Sequence, residues 1–234
     1  MEYISTRNTE KTFLFKDVFL KGLAPDGGLF VPKKIPLYNS RELEKLRNLS
    51  YNELATNIIF KFCSEEFDEV EIKDLIKNSY KNFRVNDVVV IKKIGKVNLL
   101  ELFHGPTLAF KDIAMQVIGN MYDHIIEKNK LNVNIVVATS GDTGAAAISA
   151  IQKRKNMKIF VLHPDKKISN IQRRFMTTVE ADNVFNLGLA GNFDDCQQFV
   201  KAMFGDDNFE NQCPLRCAYD RDSEWRKRQR EWSE

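Results

Sequence analysis

The apolar positions of this chain change rhythm near residue 87, and the change predicts two regions of different architecture. Before it, apolar residues recur at helical spacing. Ser50-Tyr-Asn-Glu53 forms a capping box ahead of ELATNIIFKF, because Ser and Glu can each satisfy an orphan N–H at a helix start. Asp68-Glu-Val-Glu71 repeats the device ahead of VEIKDLIKNSYKNF. Between Gly22 and Pro36, GLAPDGGLFVPKKIP reads as a turn-rich loop.

After residue 87 the runs become short, apolar and β-branched. Val88–Ile91 and Val97–Phe103 read as strands. A helix follows from about Phe110, with Phe110, Ile113, Ala114, Val117, Ile118, Met121 and Ile125 spaced as one buried stripe. Then come strand 134–139, helix 143–153, strand 158–162, helix 168–178, strand 184–189 and helix 193–204. Strands alternating with helices imply βαβ units and a parallel sheet. The uninterrupted apolar character of the strands fits a sheet covered on both faces. The expected division is a helical region at 1–86, a partial α/β domain at 87–212 and an atypical polar tail at 213–234. Arginine outnumbers lysine in that tail, reversing the balance of the rest. It holds both tryptophans and no Ile, Val or Phe, so it reads as disordered or out of frame.

Composition narrows the chemistry. The chain is 234 residues long, 43% hydrophobic and 29% charged, with a net charge of +3. That balance makes no case for a nucleic-acid or membrane-surface partner, and Arg226–Arg230 reads as solvated tail. No apolar run approaches the roughly 20 residues that span a bilayer. The start has no apolar leader core, and the four scattered cysteines form no zinc set and suit a reducing compartment. A cytoplasmic location is therefore expected. The three histidines show no metal spacing, and the oligomeric state is open.

Two segments could carry chemistry. In Phe103-His-Gly-Pro-Thr-Leu-Ala-Phe-Lys-Asp112, Lys111 falls between a strand end and a helix start, the place where open parallel sheets bind ligands. The positive end of a helix dipole disfavours an ammonium there and favours the free amine that imine chemistry needs. From position alone a solvated surface lysine is the better reading, since most lysines are solvated. In Ala138-Thr-Ser-Gly-Asp-Thr-Gly144, two glycines permit a sharp turn whose N–H groups could hold a carboxylate or phosphate. A tight turn capped by Ser140 or Asp142 explains the same residues equally well. If that loop is exposed, Gly144→Val should harm binding more than folding. Asp142-Thr-Gly-Ala145 also matches the aspartic-protease tetrapeptide, but it runs into a helical segment. Gly191-Asn-Phe-Asp-Asp195 lacks a second glycine, and Asn192 or Asp194 suits a helix cap.

In their order and spacing, YISTRN, GLAPDGGLFVP, ELFHGPTLAFKD, ATSGDTGAAA and GNFDDCQ make the chain resemble the threonine synthases of the longer bacterial and fungal form, over about residues 2–205. The resemblance implies an α/β fold: a helical N-terminal region, then the beginning of a parallel-sheet domain of PLP fold type II. It implies pyridoxal 5'-phosphate (PLP) as cofactor, O-phospho-L-homoserine and water as substrates, and L-threonine and phosphate as products. Lys111 falls on the family's Schiff-base lysine. Ser140, Gly141, Asp142, Thr143 and Gly144 fall on the loop that takes the substrate carboxylate beside the ring. Asp142 stands where many relatives carry Asn and is the expected cofactor contact, while His104 and Thr107 flank the lysine as substrate-orienting residues. The family's glycine-rich phosphate loop has no counterpart here. The chain is thus expected to be a fragment with little or no turnover. Other fold-type-II PLP lyases and a non-catalytic fragment are the competing readings.

Overall fold

The computed structural model describes residues 1–204 and 215–217. The chain divides into two compact units, Met1–Asn129 and Lys130–Glu234.

The first unit opens with a small antiparallel sheet that the sequence pattern does not reveal. Strand β1 (Tyr3–Ser5) lies between β2 (Thr12–Phe13) and β3 (Phe30–Pro32). Strands this short carry too few alternations to register as a period-two signal. The GLAPDGG loop is what ties them together. Asp26 Oδ1 accepts from Ser5 Oγ at 2.7 Å and from the Gly28 N–H at 2.8 Å, and the Ser5 bond holds this carboxyl below its ordinary range. Four helices follow or interleave: α1 (Phe15–Lys21), α2 (Ser40–Leu46), α3 (Tyr51–Cys63) and α4 (Glu69–Tyr80). The expected boxes cap α3 and α4, with Ser50 and Asp68 accepting from the Glu53 and Glu71 N–H groups. A third box, Asn39 with Glu42, caps α2.

Strands β4 (Val90–Ile94) and β5 (Val97–Glu101) do not begin a parallel sheet. They form an antiparallel hairpin, with Ile94 opposite Val97. Gly95, at φ 60°, supplies the positive φ that a two-residue hairpin turn requires. Helix α5 (Lys111–Asn129) then packs with α4 around Ile72, Ile76, Ile125 and Ile126, all fully buried. Its buried stripe is narrower than the spacing suggests. Val117, Met121 and Ile125 are inside with Tyr122 and Ile126, whereas Phe110 and Ala114 are exposed. Tyr122 donates to the Phe19 carbonyl, and Tyr3 to that of Phe62, so both buried phenols are satisfied.

The second unit is the expected βαβ run. Strands β6 (Val133–Ala138), β7 (Met157–Pro164) and β8 (Val184–Leu189) are parallel, in the order β8-β7-β6-β9. Strand β9 (Leu215–Cys217) pairs parallel with β6. The rest of the segment expected to be a foreign tail, Arg226–Arg230 included, lies outside the described residues. Helices α6 (Asp142–Ile151), α7 (Asn170–Thr177) and α8 (Phe193–Phe204) complete the unit. Successive residues of a strand face opposite sides. Val161 accordingly meets α6 at Gly144, while Leu162 joins Val136, Ala138, Cys196 and Val200 in the α8 core. Helix α8 is capped by Asn192, which accepts from the Asp194 and Asp195 N–H groups. That settles the Gly191–Asp195 segment as a cap. No helix among the described residues is long and apolar enough to cross a membrane.

The Asp68 box generates a direct expectation. Asp68→Ala leaves the Glu71 N–H without its acceptor and should lower stability by about 1 kcal/mol, read from urea unfolding followed by helical circular dichroism. An unchanged midpoint would refute the cap's contribution.

Candidate functional site

The two candidate segments lie in different units. In the first unit, the lysine loop runs from the end of β5 to the start of α5. It leaves a hairpin strand, so the expected position at the carboxyl end of a parallel strand is replaced by another device. Asp112, in the first turn of α5, is fully buried. Its Oδ2 accepts from the Thr107 N–H and its Oδ1 from the Thr107 hydroxyl, each at 2.7 Å. The Ala109 and Leu108 N–H groups add to the same stabilisation. The loop therefore folds back over the first turn of its own helix. Burial pushes the Asp112 carboxyl above its ordinary 3.8, with these hydrogen bonds opposing. Leu108 sits at φ 63°, a left-handed conformation that costs a bulky residue roughly 1–2 kcal/mol. The loop closed around Asp112 is what holds it there.

Lys111 is the first residue of α5 and half-buried, its Nζ 5.0 Å from the centre of the Phe110 ring. His104, four-fifths or more covered, has its Nε2 2.9 Å from Glu101 Oε2. Glu101 is buried at the end of β5, and its other oxygen lies 2.6 Å from Lys92 Nζ. The Lys92 hydrogen bond, joined by that of His104, holds the Glu101 carboxyl below its usual range against the burial that raises it. The structure thus groups His104, Thr107 and Lys111 in one loop. It adds Lys92, Glu101 and Asp112, which the sequence reading did not single out. Their signals are modest: an acid three residues before His104, and an acid directly after Lys111.

In the second unit, the 139–144 loop joins β6 to α6. Neither Ser140 nor Asp142 caps the helix in the expected manner. Thr139, fully buried, does so from one residue further back. Its Oγ1 accepts from the Gly141 N–H at 3.0 Å and the Gly144 N–H at 2.9 Å. Asp142 Oδ1 accepts from the Thr143 N–H at 3.0 Å. Three of the loop's N–H groups are therefore engaged internally. Ser140 is exposed and Asp142 half-buried, while Thr143 and Gly144 are buried. Gly141, at φ 141°, starts the helix in a conformation open to glycine. A Cβ there would lie 2.6–2.7 Å from the Gln172 side-chain amide, so α7 backs the loop. Because Asp142 opens a helix in a parallel α/β unit, the aspartic-protease reading has no structural support.

Comparison with known proteins adds the context. Residues 2–80 match the family profile described as the threonine synthase N terminus. The chain is 43% identical over 210 residues to a threonine synthase of Pseudomonas aeruginosa, covering 89% of this chain and 45% of that protein. It is 40% identical over 225 residues to that of Saccharomyces cerevisiae, covering 89% and 44%. The crystal structure of a PLP-bound threonine synthase from Brucella melitensis superposes with a TM-score of 0.87 at 40% identity, over 94% of this chain and 48% of that one. The yeast structure gives 0.85 at 41% identity, over 92% and 45%. The chain spans about half the length of the relatives it matches.

Two measurements follow from the loops. The expectation that Gly144→Val spares folding assumed an exposed loop. Gly144 is buried, and a Cβ alone would approach Thr139 Cγ2 to 2.6 Å and Met176 Sδ to 2.7 Å. The substitution should therefore lower stability by about 1–3 kcal/mol or more, whereas Ser140→Ala, at an exposed site, should leave the unfolding midpoint nearly unchanged. The second concerns Asp112. With a folded-state pKa raised above 3.8, the folded chain binds this proton more tightly than the unfolded chain. Its contribution is complete below 3.8 and is lost as pH rises through the folded value. Carboxyls with lowered values, such as Glu101 and Asp26, give the opposite slope in any variant. The stability of the parent chain relative to Asp112→Asn should thus fall as pH rises from 3.8; parallel curves would refute the assignment.

Proposed function

We propose that this chain, whose sequence and fold are those of an N-terminal threonine synthase portion, carries the lysine and the carboxylate-binding loop of a PLP-dependent threonine synthase. The reaction is the conversion of O-phospho-L-homoserine and water into L-threonine and phosphate. The reading rests above all on one observation: a half-buried lysine opens α5 in a loop fastened around the buried Asp112 carboxylate. A covalent anchor needs an amine on a rigid mount, and the loop closed around Asp112 is such a mount.

When bound, the cofactor supplies an electron sink for the carbanion formed beside the amino group. Lys111 would hold it covalently through Nζ, and the freed amine would shuttle one proton at a time, taking those of Cα and Cβ and returning protons to carbon. Asp142, with one oxygen committed to Thr143, would offer the other to the cofactor. Ser140–Gly144 take the substrate carboxylate, with the Ser140 hydroxyl as the exposed donor and Thr139 holding the turn rigid. Thr107 acts through Asp112, to which its hydroxyl proton is committed, and His104 helps to orient the substrate. Phosphate would depart from Cγ, which gains a proton in its place, and water would add at Cβ. A cytoplasmic setting fits this small-molecule chemistry.

Borohydride reduction of the chain incubated with PLP, followed by peptide mapping, is expected to fix the label on Lys111. Lys111→Ala should lose that label completely. Label on a different lysine in the parent chain would overturn the assignment.

A further inference from the structure

The Glu101–His104 pair has a geometry that the lysine chemistry alone does not require. On the hairpin ladder Val90 faces Glu101 and Lys92 faces Leu99, so Lys92 and Glu101 are diagonal neighbours on one face. Their 2.6 Å ion pair by itself balances the buried carboxylate's charge. The second carboxylate oxygen is nevertheless given to His104 Nε2 at 2.9 Å. An ionised carboxylate only accepts, so Nε2 must carry the hydrogen and Nδ1 must hold the lone pair in the neutral ring. Two further contacts fix the residue. Its carbonyl accepts from the Arg84 N–H at 2.9 Å, and its ring lies 4.7 Å from that of Phe103. No described residue hydrogen-bonds to Nδ1. A carboxylate that sets the tautomer of a neighbouring imidazole is a recurrent way of making the opposite nitrogen a better acceptor.

We propose that Glu101 is a positioning residue: it holds His104 as the Nε2–H tautomer and so presents Nδ1 as a second proton-accepting nitrogen, in the same loop as Lys111, for a substrate-side hydroxyl or water. The inference rests on the PLP reading above and deepens it. In that reading the water that adds at Cβ must shed a proton, and Nδ1 offers an acceptor for it besides Lys111 Nζ.

The test is nitrogen NMR on the labelled 234-residue chain, with the His104 signals identified by their loss in His104→Gln. The parent chain should show the Nε2–H tautomer, and a dominant Nδ1–H tautomer would overturn the proposal without any variant. In Glu101→Gln, whose amide can donate as well as accept, the Nδ1–H form should rise to a comparable population. An unchanged tautomer there would equally overturn it. When O-phospho-L-homoserine is added to the PLP-loaded chain, the Nδ1 signal should move and the Nε2 signal should stay. An Nδ1 signal that stays, in a sample where borohydride traps Lys111, overturns this inference and leaves the PLP reading intact. Failure of the trap itself overturns the PLP reading, and the substrate-side role of Nδ1 with it.

Discussion

A polar group taken out of water must find its hydrogen bonds inside the protein, and both candidate loops are built around one that does. In the first unit that group is the Asp112 carboxylate; in the second it is the Thr139 hydroxyl. Each lies at the junction between a strand and a helix, and each is satisfied by N–H groups of its own loop. An acid or hydroxyl left bare at these depths would cost about 1–3 kcal/mol or more. The loop conformation and the buried group therefore stabilise one another. The residues of chemical interest, half-buried Lys111 and exposed Ser140, are carried on mounts whose geometry is fixed from beneath.

Much of this was legible in the sequence, for reasons that can be named. Helices α3 and α4 announced themselves through the Ser50–Glu53 and Asp68–Glu71 boxes, which are local chemistry. The parallel run from β6 to α8 was legible because its strands are uniformly apolar and its helices periodic. Strand β8 and helix α8 occupy the expected residues. The motifs that pointed to threonine synthases did so as an ordered set, and the match extends well beyond the helical region.

What stayed hidden depended on contacts far apart in sequence, or on the direction of a single side chain. The β1-β2-β3 sheet joins segments up to some two dozen residues apart through very short strands, so no window reveals it. The antiparallel pairing of β4 with β5 turns on Gly95, at φ 60°, to which the apolar runs on either side do not point. Thr139 was hidden in plain view. It precedes the serine and aspartate that usually attract attention as caps, yet its hydroxyl is the one aimed at the helix start. Asp112 stood next to the lysine and was not singled out, because burial cannot be seen in a string of letters.

The sheet of the second unit has a consequence for how the chain acquires its structure. The α3–α4 pair forms from neighbours in sequence and can close within a small loop. Every described β-ladder in the second unit, by contrast, joins strands separated by at least one entire helix, so the chain must lose the entropy of a long closure before the first pair of strands is rewarded. The two units should consequently gain structure on different timescales: the helical pair early, the parallel layer late. The 139–144 loop acquires its shape only when β6 and α6 are both in place. The 139–144 turn is thus among the last features to mature, although the residues that build it are contiguous.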